Sequence, residues 1–420
     1  MENHPRVHTL TQSRRSCWSR HKPVKSGYVA AAGLLLLWLW SSATLAGPLA
    51  PLNPVEPAQS PESSLVAAIE LAREGKVGES VKALESLLRT QPNFRLAQLI
   101  YADLMAARSG VRGIMADDQD PRIQELFEEA RLRMDQARFA PSPDSVPNSV
   151  LQLSGEYPYL VIVDLPGARM HLMRNLDGQL HKVSSRYAAI GRGGYGKEVE
   201  GDLRTPVGIY HVTGWKSDAS LPELYGSGAL PLNYPNLWDL FKAKTGYGIW
   251  LHGVPRQTYV RAPRSSEGCV TLANDDLLWL RPYVVNNRAP VILTDNLKWI
   301  SRAKLEGQRD AFLERVEQWR QTWADIDTEA YLKFYGDDFS TAGMNKAQFA
   351  DHKFRVNAKK KFISVELADI SLFQYPGEPM LLAEFTVVYN SDNFQSTSKK
   401  EQYWRQDEQG QWLIFREENR

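Results

Sequence analysis

Cysteine is nearly missing from this chain, with two residues in 420, Cys17 and Cys269. So few thiols exclude a disulfide framework and any cysteine-rich metal site. An excess of charge of one sign is missing too: 50 Lys+Arg stand against 49 Asp+Glu. Without a basic field to draw in a polyanion, nucleic-acid binding is set aside. No apolar run reaches the length of a stable membrane span; the longest, residues 28–40 (YVAAAGLLLLWLW), falls short. Phosphate-binding fingerprints are also absent. The glycine-rich run 191–196 has neither the spacing nor the following amphipathic helix of a dinucleotide loop, and it is not a P-loop.

What is present begins at the N-terminus. Arg14, Arg15, Arg20, Lys22 and Lys25 precede the apolar run, and small residues follow it to Ala46. This order is that of a secretory signal, expected over residues 1–46 with cleavage after Ala46. An uncleaved N-terminal membrane anchor is the alternative. Ser13-Arg14-Arg15 hints at a twin-arginine signal, but the residues after it fit poorly. Cys17 then drops out of the exported chain and Cys269 has no partner. A free thiol outside the cytoplasm is a liability unless it is buried or used.

The exported part divides into stretches of different texture. Residues 47–63, rich in Pro, Ala and Ser, read as a tether. Over 64–138 the apolar residues recur at helical spacing: Leu65, Ile69 and Ala72, then Val81, Leu84, Leu87 and Leu88, with Gly75 and Pro92 as breaks. This pattern resembles a tetratricopeptide-like hairpin, too short for an array, and suggests a small helical docking domain. Residues 139–149, with Pro141, Pro143 and Pro147, read as a linker. From 150 to 297 the chain turns to β. Strands are expected at 159–164, 169–173, 184–190, 208–213, 248–252 and 290–294, with a helix from Asp275. Residues 302–420 open on a helix over 302–324 and a second over 327–335. Four strands follow, at 361–372, 380–389, 396–405 and 412–416, the last two joined by a turn at Asp407-Glu408-Gln409-Gly410. Helices before a curled antiparallel sheet make an α+β module. The 12 Trp and 17 Tyr are assigned to these cores rather than to a carbohydrate platform, because aromatic burial dominates core energetics.

Cys269 lies in Arg264-Ser265-Ser266-Glu267-Gly268-Cys269-Val270-Thr271, and His252-Gly253 precedes it. A nucleophilic thiol needs a neighbour that takes its proton, and an imidazole both accepts that proton and returns it to a leaving amine. His252 is the candidate base. Gly253 offers a carbonyl to orient the other ring nitrogen. Gly268 and Cys269 offer backbone N–H groups to an oxyanion, and Ser266 supports their loop. Taken singly, a buried Cys and a His at a strand end are more often structural. One Cys and one His fall short of a metal-ligand set, so neither metal nor cofactor is expected.

Taken together, His252-Gly253 and Ser266-x-Gly268-Cys269-Val270 resemble the YkuD-type L,D-transpeptidase domain. The stretch Lys197-Glu198-x-Glu200-Gly201-Asp202-x-Arg204-Thr205-Pro206-x-Gly208-Ile209-Tyr210 matches that family's upstream signature. The resemblance covers about residues 157–295. It implies a mostly β domain whose cysteine attacks peptidoglycan stem peptides after their third residue, a meso-diaminopimelate, with release of a terminal D-amino acid. Cys269 is then the nucleophile, His252 the base and the Gly253 carbonyl the third member, with Ser266 and Gly268 shaping the oxyanion region. Two positions depart from the family pattern: Glu267 stands where many members have His, and Thr271 where many have Arg. Arg256, Arg261 and Arg264 are candidates for the missing positive charge. Of these, Arg256 and Arg264 are placed with Tyr234 in the expected substrate-binding set.

The C-terminal pattern Trp319-x-x-x-Trp323…Asp327…Tyr331-x-x-Phe334-Tyr335-x-x-Asp338-Phe339, with strands ending Trp404…Trp412, resembles the nuclear-transport-factor-two-like cone. The whole architecture resembles the L,D-carboxypeptidases that set cell shape in curved and helical Gram-negative bacteria. The resulting expectation is a periplasmic L,D-transpeptidase acting on stem tetrapeptides. L,D-carboxypeptidation to tripeptide is the alternative, and an inactive cell-wall-binding scaffold the second. Stem peptides are the expected partners, together with protein partners at the helical and C-terminal domains.

Overall fold

The structure, a computed structural model, describes residues 60–113, 119–138, 141–142 and 144–419. The expected signal peptide and most of the tether lie outside the described residues. Four helices come first: α1 (Pro61–Arg73), α2 (Val77–Thr90), α3 (Arg95–Arg108) and α4 (Pro121–Arg138). Ser60 caps α1 by accepting from the Ser63 N–H, and Pro61 sits at its first position, where no N–H is needed. Gly75, at φ +79°, turns the chain into α2. Leu65, Ala68, Leu84, Leu87, Phe94 and Ala97 make the core of this module.

The central domain is built on a five-stranded sheet. Its order is Gln179–Tyr187, Arg169–Leu176, Tyr159–Asp164, Pro290–Thr294, Gly208–His211, and only the Tyr159–Asp164/Pro290–Thr294 pair is parallel. Tyr159–Asp164 (YLVIVD) is an unbroken apolar run, the mark of a strand covered on both faces. Tyr159, Val161 and Val163 face the catalytic-domain core with Leu251, Val270 and Leu277. Leu160 and Ile162 face the other way, onto a layer with Trp238, Phe373, Tyr375, Leu382, Tyr403 and Phe415. A second, four-stranded sheet runs Val270–Thr271, Trp250–His252, Gly228–Pro231, Lys216–Ser217. Helices α5 (Leu237–Phe241) and α6 (Asn274–Val284) complete the domain. Both sheets are open.

The C-terminal module has α7 (Arg302–Ala324), α8 (Thr328–Leu332) and α9 (Lys346–Asn357) against a seven-stranded sheet. Its four expected strands are present as Ile363–Gln374, Met380–Ser391, Phe394–Gln406 and Trp412–Asn419. The second expected helix stops at Leu332. Tyr335, expected inside it, instead opens the strand Tyr335–Thr341, because it pairs with Ile414. The expected linker 139–149 is not free chain throughout. Ser145–Pro147 pairs with Trp299–Ser301, and Val150–Gln152 forms the edge of the C-terminal sheet beside Ile363–Gln374. The cause is burial: Val146 and Leu151 pack into the cone with Leu305, Phe312 and Val316. The expected domain boundary at residue 150 therefore falls inside a strap that belongs to the cone, and the catalytic domain is inserted between the strap and the rest of it.

Candidate active site

The parallel pairing Leu251↔Val270 and His252↔Thr271 positions the two candidate catalytic residues. Extended back by one residue, this register sets Cys269 across from Trp250, two positions before His252. Side chains alternate along a strand, so Cys269 and His252 project to one face while Leu251 and Val270 enter the core on the other. The His252 ring stands edge-on to Tyr225 at 4.9 Å and is 3% exposed. Cys269 is only partly covered.

The stretch 197–210 builds the back of this face. The Asp202 carboxylate accepts from the backbone N–H of Glu198, Val199 and Arg204 and from Lys197 Nζ. Thr205 Oγ1 accepts the Gly191 N–H at 2.9 Å. Gly268, at φ +119°, passes so close that a Cβ there would meet the Arg204 carbonyl at 2.8 Å. Ser266 ties the loop together: its hydroxyl donates to the Cys269 carbonyl at 2.5 Å and accepts the Gly268 N–H at 3.2 Å. After His252 the chain has no room for a side chain, because a Cβ on Gly253 would lie 2.2 Å from Asn274 Oδ1. Asn274 pins that turn, accepting from Ser227 N–H and Val254 N–H and donating to Val254 O. Neither Asn274 nor Tyr225 was singled out in the sequence, since both act from positions remote from His252.

The hydrogen-bond partners assign the protons. His252 Nδ1 lies 2.6 Å from the Gly253 carbonyl. A carbonyl only accepts, so Nδ1 carries the hydrogen and Nε2 presents a lone pair. Burial lowers the His252 pKa to about 4, against the opposing pull of the Gly253 bond and with help from the Arg261 charge. Burial likewise raises the Cys269 thiol to about 11, more than the Trp250 backbone bond and Arg261 pull it down. At neutral pH the resting pair is thiol and neutral imidazole. Cys269 Sγ donates to Gly248 O at 3.4 Å, and no hydrogen bond joins it to His252. Such apo geometry is common where catalytic contacts tighten only with substrate.

The other expected residues are placed differently. Arg256 is spent on Asp218 at 2.7 Å and Glu223 at 3.1 Å. Arg264 pairs with Glu128 at 3.7 Å. Tyr234 is a core residue whose hydroxyl donates to the Thr245 carbonyl. Glu267 is exposed and paired with Arg192 at 3.0 Å. Thr271 is buried opposite His252. Arg261, outside the expected set, is the arginine of the three that has no carboxylate partner among the described residues: it donates to Leu224 O at 3.4 Å.

Two known domain families match the chain. The L,D-transpeptidase catalytic domain family YkuD matches residues 158–293, and the Cds6 C-terminal NTF2-like domain family matches 311–418. Among solved structures, Bd1075 from Bdellovibrio bacteriovorus is 31% identical. The alignment covers 66% of this chain and 98% of that one, with a TM-score of 0.59. The helical cell shape determining protein Pgp2 from Campylobacter jejuni is 25% identical over 70% of this chain and 99% of that one, with a TM-score of 0.53. No curated protein sequence matches the chain.

Proposed function

We propose, for a chain that belongs to the family joining a YkuD L,D-transpeptidase domain to a C-terminal NTF2-like domain, a cysteine acyl transferase of the periplasm. Its substrates are the stem tetrapeptides of peptidoglycan, and the reaction class is L,D-transpeptidation. The observation that carries this reading is the shared face of Cys269 and His252, with Nδ1 held by Gly253 O and Nε2 left to accept.

The chemistry follows from those positions. The thiol turns from Gly248 O and gives its proton to Nε2. The sulfur attacks the carbonyl that joins the third and fourth residues of the stem. The C–O electrons move onto oxygen, where the backbone N–H of Cys269 receives the charge, the Gly268 N–H being held by Ser266 Oγ. Collapse breaks the C–N bond, and imidazolium gives its proton to the departing D-amino acid. The thioester that remains is resolved when an amine of a second stem attacks, the imidazole taking that proton and returning it to sulfur. Attack by water in the same step makes the enzyme an L,D-carboxypeptidase. This second reading is favoured by the match along nearly the full length of a helical cell shape determining protein.

Incubation of the mature chain with disaccharide tetrapeptide tests these readings by mass spectrometry. A 3-3 crosslinked dimer or an exchanged D-amino acid is expected for transpeptidation, and tripeptide alone for hydrolysis. An unchanged tetrapeptide leaves the chain a scaffold. Cys269→Ala is expected to abolish turnover and the acyl adduct on the intact protein; persistence of either removes Cys269 as nucleophile.

A further inference from the structure

His252 accepts at Nε2 only while its hydrogen sits on Nδ1, and that depends on where the Gly253 carbonyl points. A neutral imidazole carries its hydrogen on either nitrogen, and the bond made by one decides the role of the other. Glycine does not fix the direction of its own carbonyl, because without a Cβ its backbone turns freely. The aim of this carbonyl must be set from outside Gly253.

Asn274, the first residue of α6, sets it. The chain runs from Cys269 through the strand Val270–Thr271 into this helix. Asn274 Oδ1 accepts the Val254 N–H at 3.2 Å and the Ser227 N–H at 2.9 Å, and Nδ2 donates to the Val254 carbonyl at 2.8 Å. The Val254 N–H and the Gly253 C=O belong to one planar peptide unit, in which the two bonds point opposite ways. The N–H end rests on Asn274, and the C=O end meets His252 Nδ1 at 2.6 Å. Fixing one end aims the other. The bond at the N–H end also polarises the amide and makes its carbonyl a better acceptor. The preceding peptide unit is held too, by the Gly253 N–H on Gly228 O at 3.2 Å. The space is fitted to the carboxamide: a Cβ on either Gly226 or Gly253 would lie 2.2 Å from Asn274 Oδ1.

We propose that Asn274 is the positioning residue that places the His252 hydrogen on Nδ1, acting through the peptide unit between Gly253 and Val254. Its effect on turnover rests on the acyl-transfer reading above; the place of the hydrogen does not. Without the carboxamide, the Val254 N–H is a buried donor with no acceptor, and the peptide unit turns to find one. The carbonyl then leaves Nδ1, the hydrogen is shared between the ring nitrogens, and fewer molecules offer Nε2 to the sulfur. One short segment, residues 269–274, thus carries the nucleophile and orients the base.

Nitrogen NMR of protein labelled at histidine reads the tautomer at neutral pH, with the His252 signals assigned by their loss in His252→Ala. The unsubstituted chain is expected to show a protonated Nδ1 and a bare Nε2. In Asn274→Ala the shifts of the two nitrogens are expected to move towards each other. There kcat is expected to fall about 10–100-fold with KM unchanged, the worth of one buried hydrogen bond. Asn274→Asp keeps Oδ1 and is expected to keep the hydrogen on Nδ1. A hydrogen on Nε2 in the unsubstituted chain, an unchanged spectrum in Asn274→Ala whatever its kcat, or a mixed tautomer in Asn274→Asp overturns the proposal. If Asn274→Ala does not fold, the unsubstituted chain and Asn274→Asp still decide it. Failure of the unsubstituted chain to form a thioester overturns the reading of the cysteine instead; Asn274 is judged on the spectrum alone.

Discussion

At the scale of single residues the active site is a neutral pair, and its pH response follows. With His252 at about 4 and Cys269 at about 11, Nε2 is an acceptor across the range between them. As pH falls through about 4 the imidazole gains a proton and can no longer take one from sulfur. The acid limb of kcat/KM is therefore expected near 4, below the ordinary imidazole value of about 6.5; a limb at the ordinary value would mean that burial does not control this ring. His252→Ala is expected to cost at least about 10²–10⁴-fold in kcat, the usual contribution of a positioned acid–base group. Ser266→Ala removes both loop bonds and is expected to lower kcat while leaving Cys269 open to alkylation. Cys269 and His252 were legible in the sequence because nucleophile, base and flanking glycines form one local pattern. The choice among Arg256, Arg261 and Arg264 was not. It depends on which acids stand across from them, and Asp218, Glu223 and Glu128 come from other turns and from another module.

At the scale of elements, the docking of α1 and α4 on the central sheet is carried by buried charge. Glu62 meets Arg133 at 2.9 Å and Arg169 at 2.5 Å, and Arg133 also holds Glu129 and stacks on Tyr187 at 4.0 Å. Burial alone would raise the Glu62 pKa; the two guanidinium groups outweigh it and hold the pKa at about 2. A lowered carboxylate pKa stabilises the fold above the ordinary value, and the gain is lost as pH falls through the folded value. Helix docking is thus expected to weaken between about pH 4.5 and 2, read as faster amide exchange in α1 and α4. Glu62→Gln, which takes the carboxylate from buried Arg169 and leaves Arg133 with Glu129 alone, is expected to cost about 3–5 kcal/mol at neutral pH. The long apolar strands and the 302–324 helix were readable from spacing alone. Helix α9 was not, although Asn345 and Gln348 form a reciprocal cap at its start that sequence spacing allows. Its face is weakly apolar, with Phe349 and Asn357 the buried side chains. Asn345→Ala is expected to cost about 1 kcal/mol in denaturant titration.

At the scale of the whole molecule, the inner strands of the central sheet are covered on both faces. Trp238 of α5 stacks on Tyr403 at 5.8 Å and meets Phe415 at 5.6 Å, so the catalytic domain and the cone share a core. Trp238→Ala is expected to destabilise by about 3–5 kcal/mol. Unfolding followed by signals from either domain is expected to shift together, since a shared core makes one cooperative unit. This sharing was hidden in the sequence because an apolar run such as YLVIVD tells that both faces are covered, not by what. The inserted arrangement also has a consequence for biosynthesis. The strap, residues 145–152, leaves the ribosome before the catalytic domain, and its neighbour Ile363–Gln374 leaves after it. Through all the synthesis in between, the strap has no sheet to join, so a transcript cut short at the end of the catalytic domain yields neither module whole.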